Sequence, residues 1–335
     1  MKKRNLIFII VGLVLIVGIL TTILIVRGSI WQKEKVSDEF KQAQATFDIR
    51  LNSDHTEYYI YRLKSGANTD GATITIPDSV DGIPVTRLID RDLGFSSYNN
   101  ISKLIIGKNI SYIGTKSTIS SDETQELGDD FFSLATSLTA IEVSLENTSF
   151  SSHNGILYNK DQTVLLRYPA SKTMSNQQAS HRFVIPNTVI LIYEKAFSLN
   201  LTLEMITFGE NVETIGDEAF SGCENLVNVN FNNAPIKSIG TKAFERCHSL
   251  DTIVLPTQLE KLGSSVFMGC SQLVEIYFSN TILEIGRNCF TGCTSLETIY
   301  TDFDFVDQLK VIFAQNNEKF IDYITGTSRN YFYII

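Results

Sequence analysis

Ile215-Gly216-Asp217-Glu218-Ala219-Phe220-Ser221-Gly222-Cys223-Glu224-Asn225-Leu226 decides the fold, because the same pattern returns along the chain. It recurs as Ile239-Gly240 through Ala243-Phe244, Cys247 and Leu250. Further copies run from Leu262-Gly263 through Val266-Phe267, Cys270 and Leu273, and from Ile285-Gly286 through Cys289-Phe290, Cys293 and Leu296. An earlier copy begins at Ile192 and keeps Ala196-Phe197, with Asn200 in the cysteine place and Leu203 in the leucine place. Three residues after each leucine comes a short apolar alternation. Ile206-Thr207-Phe208, Val229-Asn230-Phe231, Ile253-Val254-Leu255, Ile276-Tyr277-Phe278 and Ile299-Tyr300-Thr301 follow one another at intervals of 23, 24, 23 and 23 residues. Phe183-Val184-Ile185 lies 23 residues ahead of the first.

Self-similarity at such a period marks a stacked repeat architecture. One unit alone buries too little surface to fold, and stacking turns its Ile, Leu and Phe columns into one continuous core. The L-x-x-[IV]-x-[FL] segment predicts a short strand with alternate residues facing inward, and neighbouring strands then form a parallel ladder. The I-G-x-x-A-F segment is expected to turn the chain on the opposite wall. Its glycine would take a positive φ, and Ala-Phe would pack as a helical or 3₁₀ turn.

These residues resemble the BspA-like leucine-rich repeats of microbial surface proteins. Ile74-Thr75-Ile76-Pro77 followed by Val80-Asp81-Gly82-Ile83-Pro84-Val85-Thr86 is similar to the opening module of that family. Phe183-Val184-Ile185-Pro186-Asn187-Thr188-Val189 is similar to its recurrent I-P-x-x-V step, and Asn154 to Pro169 to its hairpin insertion. That last stretch also reads as a hairpin unaided: two apolar runs flank Asn159, Lys160 and Asp161, and Pro169 ends the second. The resemblance covers about residues 47–301. It implies a leucine-rich-repeat solenoid of α/β type, with short parallel strands and helical or 3₁₀ turns. Residues 88–140 depart from the pattern, keeping only Leu104-Ile105-Ile106, Tyr112-Ile113-Gly114, Phe131-Phe132 and Leu138 to Val143 around a polar insert from Lys116 to Asp130.

An open solenoid end exposes apolar rungs and needs a cap. Phe47–Leu51 and Tyr58–Leu63 read as a hairpin cap around Asn52, Ser53 and Asp54. At the other end, residues 302–335 form the C-terminal cap, with Asp304 expected to N-cap a helix from about Phe305 to Gln315. Val306, Leu309, Ile312 and Phe313 would share its buried face. The apolar Tyr331-Phe332-Tyr333-Ile334-Ile335 is expected to pack on the last rung as a strand.

From Leu6 to Val26 there are 21 residues without charge. A helix of that length spans about 31 Å, close to the roughly 30 Å hydrocarbon core of a bilayer. Lys2, Lys3 and Arg4 precede it, which keeps the N-terminus cytoplasmic by the positive-inside tendency. The expected organisation is a cytoplasmic tail at 1–4, one transmembrane signal-anchor helix at 5–27, a polar juxtamembrane stalk at 28–46, and an exported solenoid beyond it. A cleaved signal peptide is the rival reading. It has a shorter apolar region and a small-residue cleavage site, and Ile25-Val26-Arg27-Gly28-Ser29 offers no A-x-A pattern.

The chain carries a formal charge of −9, and beyond residue 27 it holds 24 basic against 37 acidic residues. An acidic body repels phosphate backbones, so nucleic acid is not expected as a partner. Cys223, Cys247, Cys270 and Cys293 occupy one repeat column, and Cys289 stands in the small-residue place of its unit. Buried free thiols explain that pattern without metal or redox chemistry, although an exported location permits disulfides. The four histidines are scattered, and His248 beside Cys247 falls at a variable surface position. No H-E-x-x-H, G-x-S-x-G, P-loop or calcium-loop pattern occurs. Neither an enzyme nor a cofactor is expected.

If Ile206 and Phe208 face inward, the alternate residues form an exposed strand face. Thr207, Asn230, Val254, Glu275, Tyr277 and Tyr300 are therefore the candidate partner-binding residues, with Tyr277 and Tyr300 as an aromatic patch beside Glu275. The resemblance implies recognition of, or adhesion to, a protein or glycan ligand at the cell surface, and the N-terminal segment adds the expectation that the chain is membrane-anchored and outward-facing. The alternative is a non-adhesive envelope scaffold that organises membrane proteins of its own cell.

Overall fold

Three backbone ladders run along the stacked repeats, the first of them in two separate stretches. They are seen in a computed structural model that describes residues 37–64, 71–89, 101–114, 132, 135–172, 181–315 and 321–327. Residues 5–27, the whole Lys116–Asp130 insert and Tyr331–Ile335 lie outside the described residues, as do the expectations placed on them. Among the described residues no helix is long and apolar enough to cross a membrane.

The first ladder carries the three-residue strands Arg182–Val184, Met205–Thr207, Asn228–Asn230, Thr252–Val254 and Glu275–Tyr277, and then Thr298–Asp302. Ile206 pairs in register with Val229, and Ile276 with Ile299. The central residue of each rung points inward and is buried. The second ladder runs through the two-residue strands Leu191–Ile192, Thr214–Ile215, Ser238–Ile239, Lys261–Leu262 and Glu284–Ile285. It belongs to an eight-stranded sheet that continues into Val164–Arg167, Ile156–Asn159 and Phe150–His153. The hairpin segment is thus part of the wall: Val164–Arg167 pairs in parallel with Leu191–Ile192.

The third ladder corrects the expectation of helical or 3₁₀ turns. The Ala-Phe segments form a succession of tight turns, because each coil places two residues in the left-handed region four positions apart. These pairs are Lys195 and Leu199, Glu218 and Gly222, Lys242 and Arg246, Ser265 and Gly269, and Asn288 and Gly292, with φ between 54° and 83°. A right-handed helix cannot propagate through such a residue. The amides gain partners in the next coil instead. Glu218 N–H donates to Thr241 O at 2.8 Å, Phe220 N–H to Ala243 O at 2.7 Å, and Gly222 N–H to Glu245 O at 2.8 Å.

The glycine of each I-G step is likewise not where a positive φ is needed. Gly216, Gly240, Gly263 and Gly286 are absent from the left-handed residues. A Cβ on Gly240 would stand 2.5 Å from Asp217 N, and one on Gly286 would stand 2.4 Å from Ser264 N. Glycine is required here because the backbones of successive coils touch.

Inside the coils, Phe197, Phe220, Phe244, Phe267 and Phe290 stack at centroid separations of 4.7, 5.0, 5.7 and 5.9 Å. Tyr168 extends this column at one end at 5.0 Å, and Phe313 of the C-terminal helix extends it at the other at 5.8 Å. That helix, α2, spans Val306–Gln315 and buries Leu309, Ile312 and Phe313. It is preceded by a 3₁₀ turn, Phe303–Phe305, with Asp302 at the N-cap position in place of Asp304. The strand that pairs with the last rung is Ile324–Thr327.

The first half stacks by the same rules. Ala72–Thr75, Ile101–Ile106 and Ala140–Val143 form one parallel ladder, with Ile74 opposite Leu104 and Leu104 opposite Ile141. Phe47–Leu51 pairs antiparallel with Tyr58–Leu63, as expected of a cap. Its outer side is covered by the helix α1, Asp38–Thr46, which falls within the stretch read as stalk. Ser37 Oγ accepts from Phe40 N–H at 2.9 Å, Ala43 is buried, and the Phe40 ring lies 5.6 Å from Tyr58.

The two halves of the core meet at Val164–Arg167, where Leu165 faces one cluster and Leu166 the other. Arg167 is 2% exposed, and its guanidinium donates to the carbonyls of Lys195, Phe132 and Ser198. Burial lowers its pKa to about 10.

Candidate recognition face

The first ladder presents the residues singled out from the sequence. Its rungs are short because Gly209 or a proline such as Pro256 ends the extended run within a few residues, and the outward positions flank a buried Ile or Val. Val254, Glu275, Tyr277 and Tyr300 lie on three consecutive hydrogen-bonded strands, with Val254 opposite Tyr277 and Tyr277 opposite Tyr300. The two tyrosine rings stack at 4.6 Å with an 18° interplanar angle. Glu275 ties them together: Tyr277 Oη donates to Oε2 at 3.1 Å and Tyr300 Oη to Oε1 at 3.5 Å.

Tyr277 is only 5% exposed, which corrects its reading as an outward contact. It is enclosed between Val254 on one rung and Tyr300 on the next, so Tyr300 and Glu275, both half-buried, are what a partner would touch. Thr207 is half-buried and Asn230 is exposed, on a separate part of the face.

The face is not one continuous ladder. Arg182–Val184, Met205–Thr207 and Asn228–Asn230 form one sheet, and Thr252–Val254 begins another. The break falls in the one 24-residue interval among spacings of 23. The turn Asn232-Asn233-Ala234 absorbs the extra residue, with both asparagines left-handed at φ 48° and 56°. Ala234 N–H bonds back to Phe231 O at 2.8 Å, and Asn232 N–H donates to Asn230 Oδ1 at 2.9 Å. A groove of 440 Å³ opens at this break, with Asn228, Asn230, Asn232, Asn233, Thr252 and Thr257 among its walls. Asn232, Asn233 and Thr257 were not among the expected residues. The signal was the longer interval and the Asn-Asn pair, which tolerates left-handed φ.

Elsewhere among the described residues the cysteines and the histidines stand apart from each other. The five cysteines are free and buried. Cys223, Cys247, Cys270 and Cys293 donate to the carbonyls of Phe197, Phe220, Phe244 and Phe267 in the preceding coil, at 3.1–3.3 Å. Desolvation pushes the Cys223 thiol up to about 12 and raises those of Cys247 and Cys270. A thiol held protonated is a poor nucleophile. His248 sits 4.0 Å from Glu224, while the Cys247 thiol points into the core. Among the described residues no group of three or more His, Cys, Asp or Glu side chains is placed to hold a metal ion.

Residues 170–297 match the family model for the BspA type leucine rich repeat region, in six copies. Among solved structures, the pneumococcal vaccine antigen PcpA matches with a TM-score of 0.52 and 17% identity, covering 84% of this chain and 99% of that one. A leucine rich cell surface protein from Faecalibacterium prausnitzii aligns over 76% of this chain and 93% of its own, with 18% identity and a TM-score of 0.46. A leucine-rich repeat protein from Eubacterium ventriosum aligns over 79% and 89%, with 21% identity and a TM-score of 0.43. At 17% identity the likeness to PcpA speaks to the fold alone. No curated protein matches the chain.

Proposed function

Because residues 170–297 form a BspA type leucine rich repeat region, we propose that this chain is a membrane-anchored, outward-facing recognition protein whose solenoid face binds a protein or glycan ligand at the cell surface. The observation that carries the reading is the row of outward side chains on Thr252–Val254, Glu275–Tyr277 and Thr298–Asp302, ending at Glu275 and at Tyr300, which stacks on the enclosed Tyr277. A half-buried tyrosine fixed by stacking and by a carboxylate presents contact area with little side-chain entropy left to lose. The uncharged run from Leu6 to Val26 behind Lys2, Lys3 and Arg4 supports anchoring with the repeats outside.

The test is protease treatment of intact cells carrying a C-terminal epitope tag, with the size of the membrane-bound chain measured in parallel. Cleavage of the tag from a full-length, membrane-retained chain is the expected result. A protected tag would place the repeats on the cytoplasmic side and sink the reading. A shortened chain in the medium would replace the anchor by a cleaved signal peptide.

A further inference from the structure

The break in the strand face is a second place where the molecule is built to be met, and its chemistry differs from that of the tyrosine rungs. On the opposite wall, Ser238–Ile239 pairs with Thr214–Ile215 on one side and Lys261–Leu262 on the other, so the coils stay in contact there. They separate only on the strand face, where Asn228–Asn230 and Thr252–Val254 are not hydrogen-bonded to each other. The resulting groove, at 440 Å³, falls within the range of small-ligand sites. Its base is apolar, made by Phe231, Ala234 and Leu255, all buried.

Its walls set asparagines and threonines beside Met205, Val254 and Pro256, and carry no charge. No Asp, Glu, Lys or Arg lines the groove, in a chain with 37 acidic residues. The hydrogen-bonding capacity of the walls is largely unspent. Among the described residues, the side chains of Asn228, Asn233, Thr252 and Thr257 have no hydrogen-bond partner. Asn230 uses its Oδ1 on Asn232 N–H and keeps its amide Nδ2, and Asn232 spends Nδ2 on Phe208 O at 3.3 Å and keeps Oδ1. Amides and hydroxyls together offer donors and acceptors side by side. That is the complement of a ligand whose groups both donate and accept at short spacing, as vicinal ring hydroxyls do. A charged ligand would find no counter-ion here. An extended peptide would find edges only three residues long on which to pair.

We propose that this groove binds a neutral oligosaccharide, with Asn228 and Thr252 on facing rungs and Asn233 at the turn supplying the hydrogen bonds. The proposal rests on reading the strand face as a recognition surface, and it names the ligand class. The experiment uses the purified full chain in a detergent without a sugar headgroup. Chitotetraose, maltotetraose and mannotetraose are titrated at up to millimolar concentration, followed by saturation-transfer NMR and calorimetry. A heparin-derived tetrasaccharide serves as the anionic control. Saturable binding of a neutral tetrasaccharide is expected, weakened about tenfold or more by Asn228→Ala with Thr252→Val, or by Asn233→Gly, which keeps the left-handed turn. None of these side chains has a hydrogen-bond partner among the described residues, and unchanged circular dichroism checks that the variants fold. Three results overturn the proposal while leaving surface recognition standing. One is neutral binding that survives these variants but is lost in Tyr300→Ala. Another is preference for the anionic sugar. The third is no saccharide binding by a chain that still captures a protein or peptide ligand. If the chain binds neither saccharides nor any surface protein, the broader reading falls with it.

Discussion

Replacing Gly240 and Lys242, two residues apart in one coil, separates two physical reasons for glycine. A Cβ at Gly240 would meet Asp217 N and Asp217 Oδ1 at 2.5 Å and the carbonyl carbon of Gly216 at 2.6 Å. Ordinary contact begins nearly 1 Å farther out, and the backbone atoms in the way are held by both neighbouring coils. Gly240 N–H donates to Ile215 O at 2.8 Å, and Gly263 N–H to Ile239 O at 2.8 Å. Gly240→Ala should therefore cost about 3 kcal/mol, at the upper end for overpacking. Gly240→Asn should cost at least as much, since its Cβ meets the same atoms. Lys242 stands at φ 57°, a conformation that costs a non-glycine residue roughly 1–2 kcal/mol. Lys242→Gly or Lys242→Asn should therefore fall within about 1 kcal/mol of the parent, the relieved strain offset by glycine's larger unfolded-state entropy. Urea unfolding followed by far-UV circular dichroism is the assay, because the single tryptophan, Trp31, precedes the repeats in the sequence. A Gly240→Asn variant as stable as the parent would refute the close-contact argument. It would return the glycine to the left-handed role its sequence pattern suggests.

Leu250→Ala should cost roughly 2–5 kcal/mol in the same assay, since Leu250 is fully buried in the leucine column, and a loss under 1 would break the repeat alignment. Tyr277→Ala should destabilise by about 2 kcal/mol or more and Tyr300→Ala by less, because the first ring is enclosed and the second half-exposed; the reverse order would mean the rungs are covered differently. Stability should fall as pH rises from about 9 to 12. Tyr158 is raised to about 12 and Cys223 to about 12 by burial, with Tyr168, Cys247 and Cys270 raised as well. Groups whose folded pKa exceeds the unfolded value stabilise below the unfolded pKa and lose that contribution on the way up, on the order of 2 kcal/mol for Tyr158. Arg167, lowered to about 10, has the opposite sign and is outnumbered; a flat urea midpoint between pH 8 and 11 would contradict the balance. Finally, the native chain should leave its five thiols unreactive toward Ellman's reagent until urea unfolds it, and prompt reaction of any one would expose a gap in the column.

The columns of Ile, Leu, Phe and Cys were legible because burial repeats with the coil, and both the cap hairpin at Phe47–Leu63 and the buried face of α2 followed from ordinary patterning. Backbone conformation was less so. A glycine is written the same way whether it serves a left-handed turn or a close approach, and Glu218 or Lys242 gives no sign that it stands at positive φ. A helical or 3₁₀ turn was expected of the Ala-Phe wall for that reason. The candidate face was read as one ladder because strand periodicity reports which residues point outward and says nothing about whether rungs touch. The 24-residue interval was visible, but its effect depends on where the extra residue is placed, and Asn232-Asn233 put it beside the strand. In residues 88–140 the fragments Leu104-Ile105-Ile106 and Tyr112-Ile113-Gly114 are strands of the same stacking order, with the recurring intervals obscured by the insert.

The phenylalanine spine has a consequence for ancestry and reach. Each ring touches the ring of the coil before and the coil after, and the C-terminal helix ends the series by offering Phe313 where another coil would offer its own. A cap that imitates a repeat will sit on any repeat. Duplication or loss of one 23-residue unit therefore leaves both ends intact and moves the outer end by about 4.8 Å, one strand spacing. The length of its stacked face is a quantity such a chain can inherit in fixed steps.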